Sequence, residues 1–196
     1  DIKIKAELTK KNYEIELALV KSQINPHFLF NTINNIDVLI TKDATKASEY
    51  LNKLSDIMRF MLYETKAEKI PLTTELAYIK KFIELQRLRT INEHYINYTV
   101  KGDATSLMIS PMLFIPFIEN AFKHSDNKKV ENAITIQIRV EENTITFFCE
   151  NSYSKNKQLK DSYSGIGNDL IQKRLALLYP KKHTLSITNS NDLYQV

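Results

Sequence analysis

A chain of 196 residues, 43% hydrophobic and 26% charged, is long enough to bury a core and reads as one large or two small globular domains. Its net charge of +4 comes from lysines and acids mixed along the chain, apart from short clusters such as Lys128-Lys129 and Lys181-Lys182, so no basic stripe argues for nucleic-acid binding. No apolar run approaches the ~18–20 residues that cross a bilayer, no signal peptide is visible, and the single cysteine has no internal disulfide partner.

Only 3 glycines and 5 prolines punctuate the chain, which predicts long helices in its first part. From residue 6 to about 40, Tyr13, Leu17, Val20, Ile24 and Phe28 recur at three- and four-residue steps and form an apolar helical stripe. Thr41-Lys42-Asp43 interrupts it, with Asp43 as N-cap. A second amphipathic run then carries Ala47, Tyr50, Leu51, Leu54, Ile57, Met58 and Met61. Two long helices and a short turn predict an antiparallel hairpin, and one hairpin cannot cover both stripes. A homodimeric four-helix bundle follows as an expectation.

Pro71-Leu72-Thr73-Thr74-Glu75 reads as the start of a third helix, reaching about Arg89. Beyond it the runs Ile96–Val100, Ile134–Val140, Ile145–Cys149 and Thr184–Thr188 are strand-like, and Cys149 is expected to be a buried small hydrophobe in a reducing compartment. Helical patterns at 112–124 and 168–178 lie between the strands. Residues 153–164 are polar and read as a mobile loop. Helices first, then strands interleaved with helices, predict an α+β fold. The chain begins with Asp and ends in what reads as a strand in progress, so a segment of a longer protein is expected.

The run Gln23-Ile24-Asn25-Pro26-His27-Phe28-Leu29-Phe30-Asn31 places a proline before a histidine inside a helical stretch. An interior proline removes a hydrogen bond and clashes with the carbonyl four residues back, here Ser22, at a cost of ~3 kcal/mol. Asn31 shares a helix face with His27 and is placed to fix the orientation and tautomer of its imidazole. A neutral imidazole, with a reference pKa of ~6.5, is a nucleophile suited to phosphoryl transfer. Taken alone, the pair equally fits a break between two helices with His27 an ordinary surface residue.

Ser110-Pro111 reads as a cap and first helical residue. On the helix that follows, Asn120, Lys123 and His124 fall at i, i+3 and i+4 with Glu119 beside them, while Leu113, Phe114, Phe117, Ile118, Ala121 and Phe122 cover the rest. An amide oxygen suits Mg²⁺, and a lysine and histidine one turn on suit phosphate. An amphipathic solvent face gives the same pattern.

These segments carry a family resemblance over about residues 15–190. Gln23–Asn31 matches the phosphoacceptor box of LytS-like bacterial sensor histidine kinases letter for letter, and Pro116–His124 resembles their nucleotide-binding N-box. Gly165-Ile166-Gly167 with Lys173-Arg174-Leu175 and Leu178-Tyr179-Pro180 resembles their third box, although Asn168 replaces the usual Leu and Leu170 the usual Asn. The adenine box departs further: Asn151 stands where an aspartate is usual, and no glycine follows. Phe28 replaces the acid that follows the histidine in the commoner kinases. The general base is therefore open, with Glu119 the candidate.

The resemblance implies a two-helix dimerisation and phosphotransfer hairpin in residues 1–68. Residues 69–196 would form a GHKL (Bergerat-type) α/β sandwich with a mixed sheet, cut short at its C-terminal end. By the same resemblance His27 takes phosphate from ATP, Asn120 holds Mg²⁺, and Lys123, His124, Asn151, Gly165, Gly167 and Arg174 hold the nucleotide under a lid at 153–164. The implied partners are a second copy of the chain and a response regulator, often one with a LytTR-type DNA-binding domain, with no direct nucleic-acid contact. The implied place is the cytoplasmic portion of an inner-membrane protein anchored by segments preceding residue 1. A second reading, motivated by Asn151 and the missing glycine, is a degenerate kinase that docks a regulator without using ATP.

Overall fold

The computed structural model describes residues 26–88, 90, 92–125, 130–152, 164–190 and 192–196. The expected stripe from Tyr13 to Ile24, the Ser22 carbonyl, the first three residues of the histidine box and the polar loop at 153–163 lie outside the described residues. The chain divides into two compact units, with the boundary between Lys66 and Ala67.

In the first unit α1 (Pro26–Ile40) and α2 (Ala44–Tyr63) form a hairpin that ends in a 3-10 turn, Glu64–Lys66. Asp43 caps α2 as expected: its Oδ1 accepts from the Lys46 amide at 2.9 Å, satisfying one of the donors that a helix start leaves free. Phe28, Thr32 and Ile36 of α1 are buried, as are Ala47, Leu54, Ile57, Phe60 and Met61 of α2. Thr32 is admitted because its hydroxyl donates to the Phe28 carbonyl at 2.8 Å. The expected single stripe on α2 is in fact two faces. Leu51, Met58 and Leu62 repeat at seven and four residues and lie roughly a quarter-turn round the helix from the buried set. All three remain exposed, together with Phe30, Ile33 and Ile40 of α1.

The second unit holds a mixed five-stranded sheet, as the α+β reading requires. In order across the sheet the strands are β2 (Ile96–Lys101), β4 (Ile134–Glu141), β5 (Thr144–Ser152), β7 (Leu193–Gln195) and β6 (Thr188–Ser190). β2 and β4 run parallel, from Ile96↔Ile134 to Lys101↔Arg139, and the other pairs are antiparallel. Strict alternation along β4 buries Ile134, Ile136, Ile138 and Val140 and exposes Gln137, Arg139 and Glu141, so only one face carries core. A two-stranded ribbon pairs β1 (Ile70–Pro71) with β3 (Met108–Ile109).

Three helices accompany the sheet: α3 (Leu72–Arg87), α4 (Ile115–His124) and α5 (Ser164–Leu178). α4 packs on β5, with the Phe114 and Phe117 rings 4.7 Å and 5.7 Å from that of Phe147. Phe82 of α3 meets Phe122 of α4 edge to face at 6.0 Å. Three boundaries differ from expectation. α3 stops at Arg87, α5 begins at Ser164, and the strand expected at Thr184–Thr188 gives way to the β6–β7 hairpin, turned by Asp192 at φ 60°. Asp tolerates that left-handed turn better than most residues, and a local apolar run carries no signal for it.

Gly102 leaves β2 at φ +94°, and a Cβ there would lie 2.0 Å from the Val140 carbonyl oxygen. Gly102→Ala therefore meets both a left-handed backbone and a backbone clash, and is expected to cost at least about 2 kcal/mol. Chemical denaturation of the variant against the parent chain measures it; an unchanged midpoint contradicts the fit described.

Candidate functional site

The two candidate sites lie in different units. On α1, His27 is exposed and stands one residue from the buried Phe28. The heptad-like spacing that turns Phe28, Thr32 and Ile36 inward leaves His27 beside the seam with its ring in solvent. Asn31, one turn on, brings its Nδ2 to 3.1 Å from Nδ1 and 3.0 Å from Nε2 of the imidazole. The in-plane lone pairs of those nitrogens diverge, so one amide nitrogen cannot lie in line with both. Asn31 thus holds the ring in place but does not single out one nitrogen, a weaker constraint than the tautomer selection expected.

In the second unit the N-box segment forms α4. Ile115, Phe117, Ile118 and Ala121 are buried against the core, while Glu119, Asn120 and His124 are half-buried and Lys123 is exposed. The i, i+3, i+4 spacing therefore produces the polar edge that the sequence predicts. Glu119 lies near Tyr78 of α3, whose hydroxyl is held well above its usual range by burial and then by the Glu119 and Glu75 charges. At the end of the edge, Ser125 carries the one buried side-chain polar atom among the described residues that has no hydrogen-bond partner. A ligand or water oxygen there would relieve a cost of about 1–3 kcal/mol. Asn151 ends β5 buried, its Nδ2 donating to the Ser152 carbonyl at 3.3 Å. Gly165 and Gly167 sit in the first turn of α5 rather than ahead of it.

The approach to α4 is built differently from the expected Ser-Pro cap. The helix begins at Ile115 with Phe114 as N-cap and no side-chain cap bond, because Met112 turns into the left-handed region at φ 59°. A bulky residue holds that conformation only where its surroundings over-determine it. Here Glu75, fully buried on α3, accepts from the Met112 amide at 3.0 Å and the Leu113 amide at 3.1 Å. Arg174 of α5 donates to the Met112 carbonyl at 2.8 Å and to the Pro111 carbonyl, and the Tyr179 hydroxyl accepts from the Ser110 amide at 2.8 Å. Arg174, expected to contact nucleotide directly, thus has two guanidinium nitrogens on main-chain carbonyls. Sequence reasoning missed Glu75 as anything but a first-turn acid, and missed Tyr179 outside its motif; nothing local distinguishes an acid that will be buried.

Magnesium fits this donor set in one way only. Among the described residues no three acidic, His or Cys side chains gather to hold a metal. The half-buried Asn120 amide could supply one oxygen to an ion carried mainly by phosphate and water, as Mg²⁺ prefers.

The chain thus places an exposed histidine on a helical hairpin and, in its second unit, an Asn-Lys-His edge on a helix packed on a mixed sheet. The Histidine kinase family profile matches residues 15–94. The sensor histidine kinase BtsS of Escherichia coli strain K12 is 26% identical over 191 residues, covering 97% of this chain and 33% of its own length. The sensor protein LytS of Bacillus cereus is 29% identical over 195 residues, covering 93% and 33%. LytS of Enterococcus faecalis is 33% identical over 127 residues, covering 65% and 21%. A solved bacterial phosphotransferase at 1.7 Å shares the fold, with a TM-score of 0.52 and 10% identity over 93% of this chain and 95% of its own. These similarities all point to histidine kinases, and among them to LytS-type sensor proteins. The chain spans about a third of the length of the curated relatives named first.

Burial pushes the Glu75 carboxyl up to about 7 from a usual 4.5, against the lowering pull of the Met112, Leu113 and Phe114 amides and of Arg174. Between those values the folded chain keeps a proton that the unfolded chain has released. The contribution is therefore full below pH 4.5 and is lost as pH rises through about 7. The parent chain should lose on the order of 3 kcal/mol across that window relative to Glu75→Gln, which has no such proton to release. Denaturant unfolding at pH 5, 6, 7 and 8 reads the difference in slope, and parallel profiles would contradict it.

Proposed function

We propose that this chain carries the phosphoacceptor and nucleotide-binding segments of a two-component sensor histidine kinase. The observation that carries the reading is the exposed imidazole of His27 within an unbroken match to the LytS-type phosphoacceptor box. A neutral ring nitrogen attacks the γ-phosphorus of ATP, the bond from that phosphorus to the bridging oxygen breaks, and ADP leaves. The proton on the attacking ring's other nitrogen then passes to a base, for which Glu119 is the candidate. The phosphohistidine hands its group to an aspartate of a response regulator, of the LytTR type by family habit.

On the nucleotide side Asn120 would supply an oxygen to Mg²⁺, whose charge would offset that of phosphate when bound, and Lys123 and His124 would approach the triphosphate. Asn151 takes the adenine-facing place of the usual aspartate; its amide oxygen accepts the same hydrogen bond without charge. Gly165 and Gly167 in the first turn of α5 let amide groups come close to phosphate. The orphan Ser125 hydroxyl supports a ligand near this edge. Phe30, Ile33, Ile40, Leu51, Met58 and Leu62, exposed on the hairpin, support a homodimer in which a second hairpin covers them. No described helix is long and apolar enough to cross a membrane, and attachment of the whole protein would rest on other segments.

His27→Ala should abolish incorporation from γ-labelled ATP while leaving Mg-ATP binding within about twofold, since a uniform-binding group is not removed. Asn120→Asp should weaken or derange Mg-ATP binding with the dimer intact. Acid-labile label on the His27→Ala protein overturns the phosphoacceptor assignment. Failure of the parent protein to take up Mg-ATP to millimolar concentration favours the non-catalytic scaffold.

A further inference from the structure

Ser110 to Leu113, the four residues leading towards α4, take no side-chain hydrogen bond from a sequence neighbour among the described residues. Their amides and carbonyls are held instead from two places distant in sequence: Glu75 on α3, and Arg174 with Tyr179 at the end of α5. We propose that Arg174 and Tyr179 are positioning residues for the nucleotide helix, which carry the seating of α5 through Ser110–Leu113 to Asn120. This rests on the nucleotide reading above, and it assigns the two residues no contact with nucleotide.

The chemistry of the pair supports the role. Adjacent carbonyls, Pro111 and Met112, take two guanidinium nitrogens, and the cation lies within the field of the buried Glu75 carboxylate. A planar fork with fixed donors sets an angle as well as a distance, which a lysine's single point charge does not. Tyr179 adds a third fixed point by accepting from the Ser110 amide. From there the chain enters a rigid helix whose inner face is locked by Phe117 against Phe147, so a shift at Met112 becomes a shift of the outer edge that bears Asn120. At the other end, Gly165 and Gly167 occupy the same helix as Arg174, at its first turn. A phosphate that fixes that turn also fixes the fork. The third box and the N-box thereby act on one nucleotide as a coupled pair.

The test is calorimetric titration of the whole chain with Mg-ATP and, in chelator, with ATP alone, for the parent, Arg174→Lys, Tyr179→Phe, Asn120→Ala and Arg174→Lys with Asn120→Ala. Because Asn120 is the metal-side residue, positioning predicts that each of the first two variants loses roughly tenfold or more with Mg²⁺ and about twofold or less without it. It also predicts that Arg174→Lys adds little once Asn120 is gone, the coupling expected of residues that act through one another. Tyr179→Phe removes one acceptor with no change in volume of consequence, so it serves where Arg174→Lys fails to fold. Equal losses with and without Mg²⁺, persisting in the Asn120→Ala background, would mean direct phosphate contact and overturn the inference alone. Unchanged affinities in both single variants overturn it as well. A parent chain that binds no nucleotide in either condition, while amide exchange shows both units folded, defeats the functional reading together with this one.

Discussion

A carboxylate shut away from water is tolerated only when its oxygens find donors, and Glu75 sets this requirement at the centre of the second unit. Unpaired, it would cost several kcal/mol. Its oxygens take the amides of Met112 and Leu113, and Arg174 lies close enough to pull its titration down. Those bonds oblige the chain to turn left-handed at Met112, and the turn decides where α4 begins. With the start of α4 fixed, Phe114 and Phe117 come down on Phe147, and the helix has one rotation left to it. Asn120, Lys123 and His124 then fall on the wet side. The site is thus a result of how a buried charge is satisfied several elements away.

Much of this was open to a reading of the chain before any coordinates. The Asp43 cap, the hairpin and the alternating strand at Ile134–Val140 follow from local periods and from one oxygen-bearing residue in the right place. The polar edge of α4 follows from spacing alone. The failures share a cause. Ser110-Pro111 has the form of a helix start, but its backbone is claimed by Tyr179 and Arg174, neither of them near in sequence. Leu51 and Met58 belong to the same apolar count as Leu54 and Ile57; periodicity reports a stripe and not how wide a single neighbour can cover. Arg174 is a different case. Its motif marks it as important, and only the structure shows that its nitrogens meet carbonyls.

His27 illustrates a different boundary. The inward run of Phe28, Thr32 and Ile36 is enough to predict that the preceding residue faces outward, and it does. How the ring is held is another matter, because an amide equally distant from two ring nitrogens restrains orientation while leaving either nitrogen free to act. For the phosphate acceptor proposed at His27, a reactive atom left uncommitted in the resting state is an advantage, and a loose neighbour serves that better than a tight one.

The exposed apolar side chains on α1 and α2 bear on the life of the protein in the cell. If a second copy covers that hydrocarbon, as proposed above, the hairpin would draw stability from mass action as well as from its own seam. How much of it stands folded would then depend on how many copies are made. With such a partner, scarce expression would leave a larger share open to proteases and abundant expression would shelter it, so gene dosage would bear on the helices that carry His27.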